Sequence, residues 1–188
     1  ISCSERDTYV KSDTQNWVGG FIGHLYKTAT LQNCQQEKVT VLGRYVGGLI
    51  GAADGNIQAS NVAFANVVVA TKQSGARNAG LVTGSTYINK KRISVKGYNF
   101  LARSCKVGLV DAKEANDLLK ADIKAMDTAG FWIGISGPKD NINLTAVSAY
   151  GTVLPQKDIG TPQNGSASII YADANADQTY QPTDSTAK

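Results

Sequence analysis

The word Trp17-Val18-Gly19-Gly20-Phe21-Ile22-Gly23 recurs as Tyr45-Val46-Gly47-Gly48-Leu49-Ile50-Gly51, and nothing else in the chain restricts its fold as strongly. A pattern of aromatic, Val, Gly, Gly, apolar, Ile, Gly used twice implies one supersecondary unit used twice. Looser copies follow as Asn78-Ala79-Gly80-Leu81-Val82-Thr83-Gly84, Lys106-Val107-Gly108-Leu109-Val110 and Trp132-Ile133-Gly134-Ile135-Ser136-Gly137. Counted from Gly19 through Gly47, Ala79, Val107 and Ile133, the steps are 28, 32, 28 and 26 residues. The register extends past the glycines. Asn33 and Asn61 each stand fourteen residues after Gly19 and Gly47, Cys34 matches Val62, Val39 matches Val67, and Val41 matches Val69. Their alternation at period two is the mark of strands with one buried face.

The expected fold class is therefore all-β, a β-helix-like β-solenoid of about four to five irregular coils. One such unit cannot bury its apolar face alone, so stacking creates the core. In this reading Gly19, Gly20, Gly23, Gly47, Gly48, Gly51, Gly80 and Gly84 are structural, placed where the path turns sharply and neighbouring backbones approach closely, since glycine takes positive φ without steric cost. Asn33 and Asn61 are expected at turns or in an internal amide ladder. An ordinary β-sandwich with Gly-rich hairpins is the alternative. The composition suits either, with 19 glycines in 188 residues and only 18% charged residues against about 25% in a typical soluble domain.

The words GGFIG and GGLIG, with AGLVTG as a degenerate copy, resemble the GLUG-motif repeats of bacterial surface proteins, adhesins and other large secreted proteins. The resemblance is carried by residues 15–70 and thins toward 110 and beyond. It implies a solenoid architecture and an extracellular or cell-surface location, and it brings no catalytic residue with it.

Two stretches depart from the repeat. Ala115, Leu118, Leu119, Ile123 and Met126 lie on one helical face, so one inserted α-helix is predicted near 111–127. Asp111 and Glu114 suit its start and Gly130 its stop. Strand character returns over 142–154, and after Pro155 the chain turns polar. The expected domains are a repeat domain over 1–154 and a polar C-terminal extension or linker over 155–188.

Few residues offer chemistry. His24 is the single histidine, so a Ser-His-Asp or Cys-His arrangement would have to use it. Its place after the first glycine word makes a solvent-facing turn residue the default. Asp13, Asp54 and Asp140 occur singly, without the clustered carboxylates that β-helical polysaccharide lyases and hydrolases need. Thr28 and Thr30 fall opposite Asn56 and Gln58, which breaks the threonine ladder that ice binding requires. Asp173, Asn175 and Asp177 have the one-three-five oxygen spacing of a calcium loop, with Asp184 at position twelve, but Gln178 replaces the glycine of its sharp turn. Calcium is thus the one cofactor considered, and the default is none.

Cys3, Cys34 and Cys105 allow one disulfide. Cys3 and Cys34 each precede a glycine word by about half a coil. That makes Cys3–Cys34 the expected pair, the alternative being two reduced buried thiols. Asn143 and Asn164 begin N-x-Ser/Thr sequons that would accept glycans in a eukaryotic secretory pathway. The net charge of +4 is scattered apart from Lys90, Lys91 and Arg92, which is no nucleic-acid footprint. No apolar run approaches the ~18 residues of a membrane span. The reading that follows is a non-enzymatic extracellular structural or adhesive module. Its partners would be further copies stacked head to tail into a filament, or a surface ligand such as a glycan. The alternative is a carbohydrate-active β-helix enzyme.

Overall fold

The computed structural model describes residues 1–12, 17–71, 78–85, 93–110 and 132–134, and the backbone path of 142–150. The strands fall into successive passes. The first holds β1 (Ser4–Arg6), β2 (Tyr9–Lys11), β3 (Trp17–Gly19) and β4 (Ile22–Leu25). The second holds β5 (Ala29–Glu37), β6 (Thr40–Gly43), β7 (Tyr45–Gly47) and β8 (Ile50–Ala53). Then come β9 (Ile57–Ala65), β10 (Val68–Thr71) and β11 (Asn78–Gly80), followed by β12 (Val95–Arg103), β13 (Lys106–Leu109) and finally β14 (Ile142–Tyr150). Equivalent strands pair in parallel to make four separate sheets, β1-β5-β9-β12-β14, β2-β6-β10-β13, β3-β7-β11 and β4-β8.

The all-β reading stands, and the β-solenoid of four to five coils is corrected to these four sheets of unequal size. Uniform coils would give every sheet the same number of strands. Among the described residues the number falls from five to two, and the step between passes lengthens from 28 to 38 residues. No helix occurs among the described residues, and the one predicted near 111–127 lies outside them. The boundary at 154/155 and the polar extension lie outside them too.

Corners are set by residues at positive φ, and these are not the glycines of the repeated word. Asp7, Lys38, Asn66 and Ser104, at φ of 50–54°, directly follow β1, β5, β9 and β12 and turn the chain into the second sheet. Asn33, Asn61 and Asn99, at φ of 53–60°, sit in the middle of the nine-residue strands. A left-handed residue inside a strand shifts the phase of its alternation. In β5 the buried set runs Ala29, Leu31, then Cys34, Gln36, with Gln32 and Asn33 both exposed. Asn is among the few side chains that adopt this conformation readily. The three form a ladder: Asn61 Nδ2 donates to Asn33 Oδ1 at 3.0 Å and Asn99 Nδ2 donates to Asn61 Oδ1 at 2.8 Å.

The word glycines are required by proximity. A Cβ on Gly19 would meet Ile22 O and stand 2.6 Å from Gly51 N, and one on Gly47 would overlap the Ile50 carbonyl. The third and fourth sheets thus touch backbone to backbone. Pairing also corrects the alignment of the weaker words. Gly80, not Ala79, stands opposite Gly47. Lys106–Leu109 pairs with Val68–Thr71 in the second sheet and so is no copy of the glycine word. Ile133 bridges Thr83, which bridges Ile50.

The core lies between the sheets. Val39, Val41, Val67 and Val69 are fully buried in one cluster with Leu31, Leu49, Ile57 and Leu81. Trp132 closes it, 6.1 Å from the Phe64 ring and 5.8 Å from Phe100.

Candidate functional site

The five-stranded sheet turns one face to the core and the other to solvent, and its solvent face carries a concavity formed by described residues. Before the left-handed asparagines, the outward positions of β5, β9 and β12 pair in rows. Thr30 stands beside Gln58 and Gln58 beside Lys96, while Gln32 stands beside Ser60 and Ser60 beside Tyr98. These six side chains line a groove of about 360 Å³ floored by Leu31, Ala59 and Gly97. In-register pairing places groups in a row one strand spacing apart, about 4.8 Å, and the two rows two residues apart. The lining offers amides, hydroxyls, one ammonium and one phenol. Tyr98 is 55% exposed, so its ring presents a flat apolar face beside hydrogen-bonding groups. Such a lining can hold a polyol by paired donors and acceptors and by ring stacking.

His24 is the sharpest correction to the sequence reading. It belongs to β4 and not to an exposed turn, and its side chain is 9% exposed. The imidazole sits between the tilted rings of Trp17, with centroids 4.3 Å apart, and Tyr26 at 4.1 Å. Its Nε2 lies 3.4 Å from Asp54 Oδ2, and Asp54 is itself nearly buried on the turn after β8. Two rings and a carboxylate therefore hold this histidine in place.

Cys3 and Cys34 lie together. The pairing of Ser4 with Gln35 and the bond from Gln35 N–H to Cys3 O at 2.9 Å set them on adjacent strands, as reduced thiols in this structure. Burial pushes the Cys34 thiol up from its ordinary value, and a hydrogen bond with the Cys3 backbone partly offsets this. Cys105 lies apart from them, between β12 and β13. It stands opposite Val67, one residue before the paired Lys106 and Val68, and burial pushes its thiol up to about 12.

All eight word glycines are at strands or corners as the repeat requires, Gly23 being the loosest, with 3.3 Å from a Cβ to Trp17 O. Asn143 lies in β14, where only the backbone path is described. Asn164 and the calcium candidates Asp173, Asn175 and Asp177 lie outside the described residues, as do Asp13, Asp140 and Asp184. Among the described residues no three His, Cys, Asp or Glu side chains come together as metal ligands, and no helix is long and apolar enough to cross a membrane.

Sequence reasoning passed over the groove. The 28-residue offset already aligned Thr30 with Gln58 and Gln32 with Ser60, which was a usable signal. Lys96 and Tyr98 follow at an offset of 38 and carry no such signal. No family model, no curated protein and no solved structure matches this chain.

Proposed function

We propose that this chain is a non-enzymatic extracellular structural or adhesive module whose five-stranded sheet binds a surface glycan along its outer groove. The observation that carries the reading is the pair of in-register polar rows, Thr30-Gln58-Lys96 and Gln32-Ser60-Tyr98, flanking the backbone of Leu31, Ala59 and Gly97. Repeated amides and hydroxyls at strand spacing match the repeated hydroxyls of a linear polysaccharide, and Tyr98 supplies a stacking face. The GLUG-like words support the extracellular placement.

The test is titration of the full chain with a panel of neutral and acidic oligosaccharides. Tyr98→Ala should weaken binding about tenfold or more, equivalent to ~1.4 kcal/mol, and Gln58→Ala should act in the same direction. Absence of binding across the panel, or binding indifferent to both substitutions, would reject the groove. Accumulation of new reducing ends or unsaturated products would instead establish the lyase or hydrolase alternative.

A further inference from the structure

We propose that Cys3 and Cys34 are a thiol–disulfide exchange site whose closure fastens β1 to β5. Three observations meet there. Pairing of Ser4, Glu5 and Arg6 with Gln35, Gln36 and Glu37 fixes the parallel register, and one step back brings Cys3 opposite Cys34. Gln32 N–H donates to Ile1 O, and Gln35 N–H donates to Cys3 O, both at 2.9 Å, so the ladder continues through the cysteines. Cys34 lies in the core cluster, and Cys3 packs against that same cluster. Directly paired strand neighbours have Cα atoms about 5 Å apart, inside the ~4.4–6.8 Å range that a disulfide spans.

The two thiols are unequal. Cys3 is partly exposed and packs on the edge of the core, whereas Cys34 is buried. Cys3 is therefore the entry point for a small disulfide oxidant such as glutathione disulfide. Its thiolate attacks one sulfur of the oxidant, that S–S bond breaks, and the first thiol leaves. Cys34 then gives up its proton and attacks the Cys3 sulfur of the mixed disulfide, expelling the second thiol. Two protein thiols are oxidised by two electrons, and one disulfide is reduced to two thiols. Cys105 stays outside this exchange, because it is fully buried and its thiol holds its proton to about pH 12.

Closure would act on more than one strand. β1 is an edge strand of three residues, and its Glu5 Oε2 accepts from Gln36 Nε2 at 2.6 Å. The same Gln36 nitrogen donates to Gly48 O at 2.7 Å, in the second glycine word. Holding β1 in place thus keeps the contact through which the five-stranded sheet grips that corner.

The experiment equilibrates the full chain in buffers of rising ratio of glutathione disulfide to glutathione, followed by non-reducing tryptic mapping and amide exchange. The expected product is a single linkage of peptide 1–6 to peptide 28–38, with Cys105 unmodified. The Gln32 and Gln35 amides should exchange at least about tenfold more slowly in the oxidised form. Cys105→Ala should preserve the linkage, and Cys3→Ser should leave Cys34 unmodified. Free or separately glutathionylated Cys3 and Cys34 in the folded chain, or any linkage to Cys105, would overturn the proposal.

Discussion

Between β3 and β4, and again between β7 and β8, the chain packs backbone on backbone with glycine at each contact. Across β5, β9 and β12 the same passes are joined by parallel ladders that leave room for side chains on both faces, with the asparagine ladder at mid-strand and polar rows outside. The glycine seam admits no side chain, so its residues are fixed and it offers a ligand nothing. The broad sheet needs only that inward positions be apolar and that the bend residue tolerate positive φ, which leaves its outer positions open to any chemistry. One repeat thus divides rigidity and recognition between its narrow and its broad faces.

Both regions close over one core, and a charge placed there should defeat the distinction between them. Val67 is fully buried in the shared cluster. Val67→Asp should cost at least ~4 kcal/mol, since an unpaired buried carboxylate has no compensation. The expected result is no cooperative unfolding transition by circular dichroism. A soluble variant with the wild-type urea midpoint would show that the sheets do not share a core.

The seam itself comes next. Gly47→Ala drives a Cβ into the Ile50 carbonyl, an obstacle with no flexible side chain to yield. A loss of about 3 kcal/mol is expected in urea denaturation. Gly23→Ala meets only Trp17 O at 3.3 Å, and should cost less than about 1 kcal/mol. Equal losses at the two sites would mean that proximity is not what selects these glycines.

This contrast also explains which parts of the fold were legible. Gly19 and Gly47 are both demanded by backbone contact, so their pairing could be read directly, as could the buried valines that follow at the same offset, although Leu81 replaces the second glycine of the word in the next pass. The bends were half legible. Asn33 and Asn61 were readable as turn or internal-ladder residues and form a ladder that is exposed and at mid-strand, while Lys38 and Ser104 take the left-handed corner with no residue type to announce it. Register was lost where the step grew to 38 residues, which is why Lys106–Leu109 looked like a glycine word. The burial of His24 depends on two rings, one on its own strand side and one reached across the corner from β3. Spacing along the chain carries no trace of that.

On the broad sheet, substitutions should cost less and should separate by cause. Asn61 donates to Asn33, accepts from Asn99, and sits at φ 54°. Asn61→Gly keeps the conformation and removes both exposed amide bonds, for an expected loss of about 1 kcal/mol. Asn61→Ala adds the steric cost of a left-handed residue, for about 2 kcal/mol in all. Equal urea midpoints for the two variants would show that the bend is not under conformational strain, and the sheet would then resemble the seam less than supposed.

The smallest effect tests whether the side-chain corner is as dry as the seam. Cys105 takes the place that Val39 and Val67 hold in earlier passes, directly after the left-handed Ser104. Residue type varies here, as it does not across Gly19, Gly47 and Gly80, and the cysteine reports its surroundings through its proton. Burial is the main cause of its raised value, and hydrogen bonds with the Val67 and Arg103 backbone work against it. In the unfolded chain the thiol ionises near pH 9.0, and in the folded chain near 12. Above pH 9 the unfolded state therefore sheds a proton that the folded state retains. The stability tied to this thiol is complete below pH 9 and is lost as pH rises toward 12. At pH 10 the loss should be about 1.4 kcal/mol relative to pH 8. Cys105→Val restores the residue of the earlier passes and removes the titrating group, so its urea midpoint should fall less between pH 8 and pH 10 than that of the native chain. Parallel pH profiles for the two proteins would mean that water reaches the Cys105 thiol, and that only the glycine seam is closed.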